Sequence, residues 1–210
     1  MTPLPVVLSI AGSDCSAGAG IQADLKTCSA LDTYALTTVT CVVAESPHKV
    51  ASIHPIPPSI VAEQILLNFE AFPINAVKTG MLFSNDIILA ISSALESLPT
   101  PLPPLVLDPV MLSSSGSPLL SPDALDAFCH RLVPLASLVT PNLDEASVLC
   151  NQPITSLADM ESAGKSLSTK FNTSFLIKGG HLRFHHATTA SDLLITPDGY
   201  TEWFETPFVT

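Results

Sequence analysis

The stretch that most constrains this chain is Val6–Thr27, where an apolar run passes through a glycine-rich segment into a helical pattern. Val6–Ala11 is rich in Val and Ile and reads as a buried strand. Ile21, Leu25, Cys28 and Leu31 recur at i, i+4, i+7 and i+10, the apolar stripe of a helix. Between them Gly12–Gly20 carries no bulky side chain and is expected to be a loop. Glycines there let backbone N–H groups approach a ligand, and the following helix N-terminus favours negative charge. The opening of the chain therefore reads as a ligand-binding entrance.

One reading of this entrance is dinucleotide binding. Gly18-Ala19-Gly20-Ile21-Gln22-Ala23 fits G-x-G-x-x-[G/A], and Glu45 at the end of the next strand could hold a ribose hydroxyl. That fingerprint belongs in the tight turn directly after the strand, whereas here Ser13–Ala17 intervenes.

With 210 residues the expectation is a single domain, 1–210, large enough to bury a core. Hydrophobic residues make up 47% and charged residues 13%, which excludes a disordered chain. A net charge of −11 argues against nucleic acid and anionic membrane as partners, while leaving room for a local phosphate site. The five cysteines include no C-x-x-C pair and suit reduced thiols. No apolar run reaches membrane-spanning length, and Val6–Ala11 lacks a basic flank, so a cytoplasmic location is expected.

Strands and helices alternate along the rest of the chain. Leu36–Ala44, Ile74–Leu82, Leu105–Met111, Leu135–Thr140 and Phe175–Lys178 read as core strands, with Lys49–Ile56 as an edge or flap strand. Helices are expected after Pro57-Pro58 (Val61, Ile65, Phe69), after Ser84 (Ile87, Ile91, Leu95) and after Ser121-Pro122 (Leu125, Phe128, Leu132). Asn142–Leu149 is a short helix, and Ser156-x-x-Asp159 resembles a capping box ahead of Met160, Leu167 and Phe171. Pro197-Asp198-Gly199 marks a hairpin. The pattern predicts an α/β fold, a mostly parallel sheet with helices on both faces.

In such sheets ligands bind beyond the carboxyl ends of the strands. The polar residues there are Asp14, Glu45, Lys78 to Met81, Asp108, Asn142 with Glu145, and Lys178. Acids, lysine and a glycine loop converging suggest Mg²⁺ and phosphate chemistry. Asn142 and Glu145, three apart on one helical face, could hold Mg²⁺ through waters or could equally be an N-cap with its N3 glutamate. His181, His185 and His186 lack the Cys pair or H-E-x-x-H of a zinc site and read as loop histidines.

The segment Gly12-Ser13-Asp14-x-Ser16-x-Gly18-Ala19-Gly20-Ile21-Gln22-Ala23-Asp24-Leu25-Lys26-Thr27 resembles the opening of the hydroxymethylpyrimidine/phosphomethylpyrimidine kinases of thiamin synthesis. Further motifs follow in order: Lys78-Thr79-Gly80-Met81-Leu82, Asp108-Pro109-Val110-Met111 with Ser115-Gly116, Thr140-Pro141-Asn142-x-x-Glu145-Ala146, and Lys178-Gly179-Gly180-His181. The resemblance implies a ribokinase-like three-layer sandwich and ATP-dependent phosphorylation of 4-amino-5-hydroxymethyl-2-methylpyrimidine and its monophosphate. It implies that Gly12, Asp24, Glu45, Met81 and Val110 bind the pyrimidine. Lys178 and Asn142 would bind the nucleotide, and Asp108 and Glu145 the metal. The expected partners are that small molecule and ATP, with a homodimer as the assembly the family admits.

The chain departs from the family pattern at Cys15, Ala17 and Ser114, where proline, glycine and Lys or Thr are usual. The family also continues into H-G-T-G-C-T, a glycine turn and catalytic cysteine expected beyond Thr210, so the sequence is expected to be C-terminally truncated with impaired catalysis. Two other readings stand beside the kinase: a pyridoxal/pyridoxine kinase of the same fold, and a catalytically silent pyrimidine-binding fragment.

Overall fold

The computed structural model describes residues 4–46, 49–111, 120, 122–180 and 189–207. His181, His185, His186, Ser114, Ser115, Gly116 and Thr210, named above, lie outside them. The chain groups into two compact units, Met1–Leu135 and Ala136–Thr210.

The first unit contains β1 (Val6–Asp14), α1 (Gly20–Ala30), β2 (Tyr34–Ser46), β3 (Lys49–Pro55), α2 (Pro58–Ala71), β4 (Ala76–Thr79), α3 (Asn85–Glu96), β5 (Leu105–Leu107) and α4 (Pro122–Ala127). Its strands lie in the order β3-β2-β1-β4-β5, parallel except for the antiparallel edge strand β3. From β1 the chain crosses through α1 to β2 on one side, then passes through α2 to β4 on the other. Right-handed crossovers in opposite directions put α1 on one face and α2 on the other. In keeping with this, α2 packs on α3, while α1 packs on β1 and β2. The reversal beside β1 opens a crevice at the carboxyl ends of β1 and β4.

Local chemistry sets most element ends. Pro58 starts α2, where its missing N–H costs nothing. The Ser84 hydroxyl accepts from the Ile87 N–H to cap α3, whose Ile87, Ile91 and Leu95 are buried as their spacing predicts. Each such side chain contributes about 1.5–3 kcal/mol on leaving water.

Four expectations need correction. In α1 only Ile21 is buried; Leu25 and Leu31 are 39% and 70% exposed, because Asp24 and Cys28 share the half-buried face instead. The region expected to loop from Gly12 is still strand, since β1 pairs with β2 through Asp14 across an irregularity between Ala11 and Ser13. Two core strands are shorter than their apolar runs: β4 ends at Thr79 and β5 at Leu107, so that Gly80–Leu82 and Asp108–Met111 leave the ladder. The helix expected to carry Leu125, Phe128 and Leu132 changes after Ala127 into a π-helical turn, Phe128–Leu132, which still buries Phe128 and Leu132.

The second unit contains β6 (Leu138–Val139), α5 (Leu143–Cys150), α6 (Leu157–Phe171), β7 (Ser174–Ile177), β8 (Thr189–Ile195) and β9 (Thr201–Pro207). β6 and β7 are parallel, and β7, β8 and β9 form an antiparallel meander around the expected hairpin. Ser156 caps α6 by accepting from the Asp159 N–H at 3.0 Å. The Asp159 carboxylate in turn accepts from the Thr155 N–H and hydroxyl, one residue before the cap. Among the described residues no helix is long and apolar enough to cross a membrane.

Candidate active site

A cavity of about 420 Å³ sits in the first unit where the topology opens its crevice. Gly12 and Asp14 reach it from β1, Glu45 from β2, Lys78, Gly80 and Met81 from β4 and beyond, and Asp108 and Val110 from the segment after β5. Asp24 of α1 completes one wall, and Val50 and Ile53 of β3 lie across another. All the residues that the resemblance assigned to the pyrimidine line this single cavity, and Asp108 lines it too.

Gly12 forms its floor at the irregular step of β1. A β-carbon there would stand 2.8 Å from the Sγ of buried Cys41, closer than packing allows. Gly20, at φ +58°, would drive one into the Gly12 carbonyl oxygen. A side chain at Gly12 must displace that sulfur, whereas at Gly20 it meets backbone that cannot yield. The Thr40 hydroxyl donates to the Met81 carbonyl at 2.7 Å and fixes the turn that brings Met81 to the wall. Val110 has φ +42°, rare for a β-branched residue and typical of strain held at a ligand site.

The glycine loop does something other than the sequence suggests. The Asp14 carboxylate accepts from the Ser16 N–H (2.7 Å), the Ser16 hydroxyl (3.0 Å), the Gly18 N–H (2.9 Å) and the Ala19 N–H (2.8 Å). The Gln22 side chain accepts from the Asp14 N–H at 2.9 Å and donates to the Ser13 hydroxyl at 2.7 Å. Amides expected to approach a bound phosphate are thus bonded to the chain's own carboxylate. This overturns the dinucleotide reading of Gly18–Ala23, whose anion seat is filled from within. Burial works to raise the Asp14 carboxyl, but these bonds from Ser16, Ala19 and Gly18 outweigh it and hold it below its ordinary value.

Glu45 has the opposite balance. Burial, then the charge of Asp14, then a hydrogen bond between the two side chains push its carboxyl up. Its backbone is clasped by the exposed Cys15, whose thiol donates to the Glu45 carbonyl at 3.1 Å and accepts from the Glu45 N–H at 3.4 Å. Asp24 bonds Lys78 and Ser9, two partners from neighbouring strands that no local pattern connects.

In the second unit an isolated parallel bridge sets Asn142 beside Lys178, and the Lys178 N–H donates to the Pro141 carbonyl at 2.8 Å. Asn142 and Glu145 form a complete capping box on α5. The Asn142 side chain accepts from the Glu145 N–H and Glu145 Oε2 accepts from the Asn142 N–H, both at 2.9 Å. Of the two readings left open for this pair, the helix cap is therefore realised. Glu145 is 3% exposed. Its hard oxygen donors have the chemistry Mg²⁺ takes. Among the described residues no cluster of His, Cys, Asp and Glu is arranged to hold a metal by itself.

The family model for phosphomethylpyrimidine kinase matches residues 14–210. The chain belongs to the phosphomethylpyrimidine kinase family. It is 44% identical over 183 residues to the hydroxymethylpyrimidine/phosphomethylpyrimidine kinase of Mycobacterium tuberculosis, a match covering 87% of this chain. The match spans 66% of that relative, just under two thirds of its length. Among solved structures, the phosphomethylpyrimidine kinase of Clostridium difficile superposes with a TM-score of 0.85 at 38% identity, over 95% of this chain and 84% of that one. A pyridoxal kinase of Staphylococcus aureus in complex with AMP-PCP and pyridoxal gives 0.83 at 32% identity, over 99% and 73% of the two chains. Kinases of this kind share the ribokinase-like fold expected from the motifs, a mostly parallel sheet with helices.

Proposed function

We propose that this chain serves as an ATP-dependent kinase of 4-amino-5-hydroxymethyl-2-methylpyrimidine and of its monophosphate. The observation that carries the reading is Glu45 in one cavity with Gly12, Met81 and Val110, in a chain of the phosphomethylpyrimidine kinase family. A 4-aminopyrimidine presents an amino N–H donor, and a Glu45 carboxyl oxygen accepts from it. Met81 and Val110 bound the flat ring, and Gly12 lets it lie against the floor.

Lys178 and Asn142 are assigned to the nucleotide, where a lysine ending an apolar strand answers phosphate charge. Asp108 in the first unit and Glu145 in the second each carry hard oxygen donors of the kind Mg²⁺ takes, and such a cation would supply neutralisation of phosphate charge. Use of ATP is supported by the Staphylococcus aureus neighbour, solved with an ATP analogue.

Calorimetric titration with the hydroxymethylpyrimidine and with pyridoxal, followed by ADP release with each, tests the proposal. The pyrimidine is expected to bind at least about tenfold more tightly, a difference of about 1.4 kcal/mol. A preference for pyridoxal overturns the substrate assignment. Failure to bind either ring overturns the kinase reading.

A further inference from the structure

Lys78 belongs to β4, between buried Val77 and Thr79, where a cation is costly unless paired. Its Nζ donates to both oxygens of Asp24, at 3.0 and 2.9 Å. The Ser9 hydroxyl of β1 donates to the same carboxylate at 2.6 Å. Asp24 rides on α1, yet two adjacent strands hold it, and Asp24 and Lys78 both line the cavity. A carboxylate offers about four acceptor positions, so these bonds leave it about one for a ligand. The lysine ammonium also cancels a charge on a wall that otherwise carries Asp14, Glu45 and Asp108.

We propose that Lys78, with Ser9, is a positioning residue that aims the last acceptor position of Asp24 at the hydroxymethyl group of the substrate. The proposal rests on the pyrimidine reading above. That molecule has two hydrogen-bond donor groups, an amino and a hydroxyl. Glu45 takes the amino group, so the hydroxyl is the donor left for Asp24. A carboxylate clamped from two strands fixes one orientation of that hydroxyl, the group that receives the phosphoryl. A loose Asp24 would spend its acceptor on water.

The test titrates the full chain and its variants with the hydroxymethylpyrimidine and with the analogue carrying a plain methyl at that position. Lys78→Met is expected to weaken the hydroxymethyl compound about tenfold or more, the range for a hydrogen bond to a charged group. It is expected to leave the methyl analogue within about twofold. Lys78→Arg, which keeps a cation that pairs with carboxylate, should recover most of the loss. In an Asp24→Asn background Lys78→Met should add little, since the lysine acts through the carboxylate. Thermal melts of each variant confirm that folded protein is compared. Equal weakening of both ligands, or a Lys78→Met effect that persists undiminished beside Asp24→Asn, overturns the proposal and leaves the pyrimidine reading standing. Absence of pyrimidine binding by the parent chain overturns both.

Discussion

Asp14 and Glu45, carried by different strands, line the same cavity. Burial and then the charge of Asp14 push the Glu45 carboxyl up, while the bonds from its own loop hold the Asp14 carboxyl down.

A pH dependence of opposite sign follows for the two residues. The Glu45 carboxyl is raised, so its contribution to stability is full below its ordinary value of 4.5 and lost as pH climbs through the raised value. Glu45→Gln should therefore raise the melting temperature at pH 8, an advantage that fades toward pH 4. The Asp14 carboxyl is lowered, so its contribution is present above 3.8 and lost as pH falls through the lowered value. Asp14→Asn should destabilise at pH 7 and much less in strong acid. Parallel melting curves for the two variants against pH, instead of converging ones, would contradict these opposite shifts.

Ligand binding separates the polar role of Glu45 from its charge. Glu45→Ala should weaken pyrimidine binding by about 1.5–3 kcal/mol, and Glu45→Gln by much less. Calorimetry on both variants decides it; equal losses, or none, remove Glu45 from recognition.

At the cavity floor the contact between Gly12 and Cys41 predicts a steric rescue. Gly12→Ala should cost about 1–3 kcal/mol in chemical denaturation, because its β-carbon meets the buried sulfur at 2.8 Å. Adding Cys41→Ala removes that sulfur and should restore part of the loss, so the two changes will not add. Strictly additive effects would place the strain elsewhere.

The cap of α5 can be separated from a metal role. Asn142→Ala should cost about 1 kcal/mol of stability through the lost cap. Glu145→Gln keeps an acceptor for the cap and should leave stability nearly unchanged. The same change should raise the Mg²⁺ concentration needed for tight nucleotide binding. Nucleotide affinity independent of Mg²⁺ in the parent chain would dismiss the metal assignment.

Much of this was legible in the residues. The Val6–Thr27 pattern marks a strand, a loop and a helix, and Ile87, Ile91 and Leu95 mark a buried face, because period and composition are local properties. The residues that the resemblance assigned to the pyrimidine, Gly12, Asp24, Glu45, Met81 and Val110, all line one cavity. What stayed hidden depends on distance along the chain. Lys78 meets Asp24 across 54 residues, and no window of sequence contains both. The exposed Leu25 and Leu31 show the reverse failure, where an apolar period exists but the inward side of α1 is taken by the polar wall. The Asp14 clasp had a local clue in Asp-x-Ser, the spacing of an Asx turn, which the glycines around it overshadowed.

The reciprocal bonds between Asn142 and Glu145 tie the Asn142 amide to the carboxylate proposed for Mg²⁺. Under that proposal a carboxylate drawn toward the cation would loosen its hold on the amide, which would then exchange with solvent deuterium faster than its neighbours. The exchange rate of one backbone hydrogen would then report cation occupancy without nucleotide or turnover.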